Sequence, residues 1–156
     1  MENEEKKSDK GLVDKFIDFL FSNDERKWLI LIFLLGLILR FVIASNNYPV
    51  ADEMVHGSHA IGVSKIAPLG TMTQGPIWFY ITDYAYRIFG VHLFSGRIMS
   101  LLFGSLSIIV IYLLSSLFFS RKTSLISSFL FAISPYHLFW TRIYMDESLG
   151  FFVFLA

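Results

Sequence analysis

The sequence contains no cysteine. That excludes a disulfide framework, a thiolate nucleophile and a cysteine-ligated metal. An excess of charge of either sign is also missing, because 13 basic and 13 acidic residues cancel to a formal net charge of zero. Without a basic field, nucleic acid is not a partner that the composition supports. Proline is scarce, with four in 156 residues, so few points interrupt helices from within. Any chemistry must come from carboxylates, histidine, lysine, arginine or tyrosine.

Apolar residues are abundant. They make up 54% of the chain, the mean hydropathy is +0.58, and they are gathered into runs too concentrated for a small soluble domain. The pattern predicts an all-α fold of polytopic transmembrane helices with a helical external first loop. Residues 1–27 read as a cytoplasmic tail. Its first ten residues are charged and polar, and Val13, Phe16, Ile17, Leu20 and Phe21 then recur at helical spacing. That segment suits an interfacial helix or a partner-packing one. Spans are expected at about 28–45, 97–119 and 123–140, with a fourth starting from about 146. Residues 28–156 thus form the N-terminal part of a membrane module. The apolar run Phe151–Ala156 has no polar flank, and the expectation is a longer protein cut inside its next span.

The first span contains one charge, Arg40, about one turn from its far end. Its guanidinium either snorkels to the interface as an anchor or faces an anionic headgroup. Residues 46–96 form a long loop with two helical patterns. One runs from about Asp52 to Lys65, and the other from Gly75-Pro76 to Gly90 with Ile77, Tyr80, Ile81, Tyr84 and Ile88 on one stripe. Both patterns suit helices lying along the membrane surface. Ser100, Gly104 and Ser107 in the second span have the small-residue spacing that admits a close neighbour. Pro135 is expected to kink or end the third apolar segment. Arg26 and Lys27 before the first span and Arg121 and Lys122 between the second and third lie on one side, which predicts a cytoplasmic N-terminus. The loop and the segment around Asp146 then face the exterior or the lumen.

Two acidic pairs therefore share a compartment. Asp52-Glu53 begins a helix, where a carboxylate caps backbone N–H groups, yet a pair beside apolar surface also suits a general base or a cation site. Asp52, His56 and His59 fall on one helical face at i, i+4 and i+7 and are weak candidates for a divalent metal. Arg142 is one turn before Asp146. It either pairs with that carboxylate or, if Asp146 and Glu147 cap a fourth span, meets a phosphate.

In order, the chain carries Arg40 late in the first span, Asp52-Glu53, Gly75-Pro-Ile-Trp-Phe-Tyr80, Gly96-Arg-Ile-Met-Ser100, Ser134-Pro135, and Arg142 followed by Asp146-Glu147. From about Ile30 onward it resembles the N-terminal region of GT-C membrane glycosyltransferases, the broad family related to protein O-mannosyltransferases and the lipid A aminoarabinose transferase. The resemblance implies a polyprenyl-phosphate-linked sugar as donor, a hydroxyl acceptor on protein, lipid or glycan, and transfer on the non-cytoplasmic face of the bilayer. It implies Asp52 as general base, Glu53 as its orienting partner, and Asp146 and Glu147 as a second acidic motif. Arg142, Arg97 and Arg40 are the cations available to the donor phosphate. Metal dependence varies across that superfamily and stays open here. Some relatives have a lysine near the Gly-Pro segment, where this chain has Thr73-Gln74, so a lysine contact to phosphate is not carried over. The alternatives of another class are a fragment of a polytopic transporter, which intramembrane carboxylates would favour, and a non-catalytic membrane subunit.

Overall fold

A computed structural model describes residues 23–45, 48–61 and 76–143. The expected interfacial helix before residue 22, the end of the first loop pattern, and the start of a fourth span lie outside the described residues. Among the described residues all regular structure is helical, in six helices: α1 (Asp24–Ala44), α2 (Ala51–Ala60), α3 (Pro76–Phe89), α4 (Leu93–Phe118), α5 (Arg121–Ile133) and α6 (Pro135–Arg142).

Local chemistry sets the helix boundaries. The Asn23 side chain accepts from the Glu25 N–H at 3.2 Å and so caps α1. Acidic Asp24 and Glu25 follow in the first turn, complementing the positive end of the dipole. Proline opens α3 as its first residue. Gly90 ends it at φ +85°, a backbone conformation that a residue with Cβ resists. The His92 ring and the Ser95 hydroxyl cap α4 reciprocally: the Ser95 N–H donates to His92 Nδ1 at 3.1 Å and the His92 N–H to Ser95 Oγ at 3.2 Å. Ser120 does the same work at α5, accepting from the Thr123 N–H.

Two helices, α1 and α4, are long and apolar enough to cross a bilayer, with mean hydropathies of 2.4 and 2.3. The third apolar segment is two helices rather than one. Pro135 has no N–H to continue the α5 ladder, so α5 stops at Ile133 and proline reappears at the first position of α6.

Helices α1, α4, α5 and α6 pack together where side chains are small. Ile32, Ile108 and Ala132 form a buried cluster between α1, α4 and α5, and Gly36 lets Ile108 approach the α1 backbone. Gly104 admits α6: a Cβ there would sit 2.5 Å from Cβ of Thr141. Ser100, Gly104 and Ser107 are all buried, so the small-residue stripe faces neighbours as its spacing implies. The loop helices make a second core, with Trp78, Phe79 and Tyr86 of α3 closing on Ala60 of α2 and on Met99 and Phe103 of α4.

At the other end of the bundle, Glu25 ties three helices together. Its carboxylate accepts from Arg121 at 2.9 Å and from the Tyr112 hydroxyl. That end carries the basic residues on which the expected orientation rests.

Candidate active site

The first acidic pair enters α2 at its first turn, and the Glu53 side chain turns inward. Glu53 is 2% exposed. Arg97, on the second turn of α4, reaches it with two parallel bonds, Nε to Oε1 at 2.7 Å and Nη2 to Oε2 at 2.7 Å. This bidentate geometry is the one guanidinium is shaped for. Glu53 Oε2 also accepts the Val50 N–H at 2.8 Å, securing the entry to α2. Val50 has no polar side chain to return the bond, so only the carboxylate half of a capping box exists here.

Arg97 has further work. Nη1 donates to the Ala44 carbonyl at 2.8 Å, and Nη2 donates to the Tyr48 carbonyl at 3.0 Å. Ala44 is the last residue of α1, whose closing carbonyls have no partner within the helix. One buried cation therefore joins the end of α1, the chain at residue 48, the start of α2 and the start of α4. The charge sits at the negative end of the α1 dipole and against a carboxylate, and both offset its burial. Tyr86 lies nearby on α3: burial first, and then the negative charge of Glu53, push its hydroxyl above the ordinary tyrosine value.

Asp52 precedes Glu53 in the first turn of α2, and its side chain lies outside the described part of the structure. His56 is buried and His59 exposed, and both present their rings to Phe79, with centroids 6.0 and 6.1 Å away in edge-on geometry. Among the described residues no three His, Asp or Glu side chains gather as a metal site.

Arg40 lies in a separate cluster. It is 0% exposed and does not snorkel. Nη1 donates to the Gly36 carbonyl at 2.8 Å and to the Ala132 carbonyl at 3.3 Å, and Nη2 lies 2.6 Å from His137 Nδ1. Since guanidinium only donates, Nδ1 accepts and the imidazole proton is on Nε2. The cause is the break at Ser134-Pro135, because Ala132 belongs to the last turn of α5 and its carbonyl has lost the helical donor. Arg40 supplies that donor, and turning inward satisfies more groups than reaching the interface would.

Arg142 closes α6, half-buried, with its guanidinium carbon 5.1 Å from the centre of the Phe139 ring. Asp146 and Glu147 lie outside the described residues. The fold thus brings together Glu53 and Arg97, which sequence reasoning placed on opposite sides of the chemistry, as orienting acid and phosphate cation. The His137 contact was also missed. Its signal was the coincidence of one arginine late in the first span with one histidine just past the break in the third segment.

Helices α1 and α4 are long and apolar enough to cross a membrane, and the carboxylate–guanidinium clamp stands where the first loop meets them. Residues 73–156 match the model of the dolichyl-phosphate-mannose-protein mannosyltransferase family. The match covers more than half of the chain, which belongs to that family and is a glycosyltransferase-like membrane protein. It includes Arg97, Arg142, Asp146 and Glu147, while Arg40, Asp52 and Glu53 precede it. No curated protein and no solved structure matches the chain.

Proposed function

We propose that this chain belongs to an enzyme that moves a sugar from a polyprenyl-phosphate donor to a hydroxyl acceptor on the non-cytoplasmic face of the membrane. The family match over residues 73–156 carries the reading. In the reaction the acceptor oxygen attacks the anomeric carbon and the bond from that carbon to the phosphate oxygen breaks. The electron pair leaves with the polyprenyl phosphate, and the acceptor proton goes to a carboxylate. Transition-state charge builds on the phosphate, so cations are needed there.

Asp52 is the proton acceptor. Both oxygens of Glu53 are committed to Arg97, and one also to the Val50 N–H, which supports Glu53 as the residue that positions the first turn of α2 rather than as the base. By the same reasoning Arg97, whose three nitrogens are engaged by Glu53 and backbone carbonyls, and Arg40, whose two Nη atoms are engaged by backbone carbonyls and His137, hold the bundle together. Arg142, with Asp146 and Glu147 following, is the residue assigned to the donor phosphate.

The test is sugar transfer from a polyprenyl-phosphate donor by the full-length protein at matched membrane expression. Asp52→Asn is expected to lower the rate by about 100- to 10,000-fold with unchanged thermal stability, the range for removal of a positioned general base. Glu53→Gln is expected to lower stability as well. Near-normal transfer by Asp52→Asn would reject it as the base.

A further inference from the structure

At the end of the bundle opposite the acidic loop, α1 and α5 diverge around a groove of about 770 Å³. Trp28, Leu31 and Leu35 form one wall and Leu125, Ile126 and Phe129 the other. These walls are open as well as apolar: Trp28 is 60%, Leu31 55%, Ile126 59% and Phe129 40% exposed. Among the described residues its polar lining is at one end, where Glu25, Arg121 and Lys122 stand. Glu25 is bonded to Arg121 and to the Tyr112 hydroxyl, and the neighbouring Asp24 is paired with Lys27 at 2.8 Å. Two basic side chains against one carboxylate leave the mouth positive. Arg121 is 76% exposed even while paired, and Lys122 is exposed beside it.

We propose that this groove binds one anionic glycerophospholipid, with an acyl chain between α1 and α5 and the phosphate at Arg121 and Lys122. The apolar walls run from Trp28 to Leu35, about 10 Å along α1 at 1.5 Å per residue, a length of hydrocarbon rather than of a headgroup. Trp28 stands where the walls meet the charges, the position that amphipathic aromatics take at a bilayer surface. A basic rim over an apolar cleft between membrane helices selects acidic headgroups. The site lies far from the Glu53–Arg97 clamp and does not depend on the proposed transfer reaction.

The test uses the whole chain in detergent, titrated with phosphatidylglycerol and, separately, with phosphatidylcholine, with bound lipid counted by native mass spectrometry. One phosphatidylglycerol per chain is expected to bind in preference to phosphatidylcholine. Each basic side chain removed is expected to cost about 5-fold in phosphatidylglycerol affinity, so Arg121→Gln with Lys122→Gln costs on the order of 25-fold and leaves phosphatidylcholine unchanged. Lys122→Gln alone leaves the Glu25–Arg121 pair intact and carries its 5-fold if the double variant misfolds. Ile126→Trp fills the groove and is expected to weaken phosphatidylglycerol although both cations remain. Equal affinity for the two lipids overturns the proposal, and so does full binding by Ile126→Trp, which would reduce the effect to surface attraction. A photoreactive residue at Leu35 that captures another segment of this chain or a second copy, in place of lipid, also overturns it.

Discussion

Two arginines are fully buried, Arg97 at the start of α4 and Arg40 late in α1, and they are stabilised in different ways. Arg97 meets a carboxylate whose charge cancels its own, with two carbonyls completing its bonds. Arg40 meets only neutral acceptors, two carbonyls and an imidazole nitrogen. A charge cancelled by a charge leaves a stranded ion when one partner is removed. A charge solvated by dipoles leaves unpaired neutral groups, which cost less. The two clusters therefore differ most in how they fail.

The largest expected effect is at the charged pair. Arg97→Met leaves Glu53 buried without its counter-ion, and breaking such a pair costs about 3–5 kcal/mol. The check is unfolding of the purified chain in detergent, followed by tryptophan fluorescence. A loss no larger than that of Arg40→Met would mean that the Glu53 carboxylate finds other compensation and that the two clusters are equivalent.

Arg40→Met is the counterpart. It strands the Ala132 carbonyl and the His137 nitrogen, neutral groups costing about 1–3 kcal/mol each when buried unpaired. It also removes a buried guanidinium that has no counter-ion, whose desolvation penalty of several kcal/mol offsets much of that loss, and methionine retains part of the stem packing. A stability loss clearly smaller than for Arg97→Met is expected in the same assay. Gly36→Ala sharpens the point without touching the arginine. Its Cβ would meet Ile108 Cδ1 most closely and lie 2.9 Å from Arg40 Nη1 and 3.3 Å from the Ala132 Cβ, crowding worth about 1–3 kcal/mol. Alanine's helix preference returns up to about 1 kcal/mol, leaving a net loss of up to about 2 kcal/mol. A gain in stability would mean that Ile108 and Arg40 both move aside without cost.

The smallest effect belongs to Tyr86 and is visible only in alkali. Its folded hydroxyl is held above the ordinary value of 10.0, by burial and by the Glu53 charge. The neutral form is therefore the stabilised one, and its contribution is complete below pH 10 and lost as pH rises through the raised folded value. Unfolding measured against pH in wild type and Tyr86→Phe is expected to give a difference that is flat below about pH 10 and narrows above it. A constant difference would mean that neither burial nor the Glu53 charge raises the Tyr86 hydroxyl.

Much of the fold was legible in the sequence because helix ends are written in local chemistry. Pro76 and Gly90 stand where the structure begins and ends α3. Helix α2 runs to Ala60, and the end of the first loop pattern lies outside the described residues. The clusters were less legible, since they depend on which helices become neighbours. Arg40 was expected to anchor or to meet a headgroup, and its inward turn required knowing that Pro135 strands the Ala132 carbonyl beside it. Arg97 was read as a cation awaiting phosphate, although an arginine at the mouth of an apolar run and a glutamate in the same loop are a pairing that charge balance alone suggests. Asp146 and Glu147 fall outside the described residues and stay as the sequence leaves them.

The Glu53–Arg97 bond spans 44 positions of sequence, and it makes the first loop a closed circuit anchored at both ends. A chain held in this way takes added length cheaply, since each doubling of a flexible loop costs only about 0.6 kcal/mol. Insertions between α2 and α3 can then accumulate without shifting the turn that carries Asp52, because the clamp rather than the loop length sets its place. Such a tether separates two constraints: the segment beyond α2 can change in length while the first turn of α2 stays fixed to the helices.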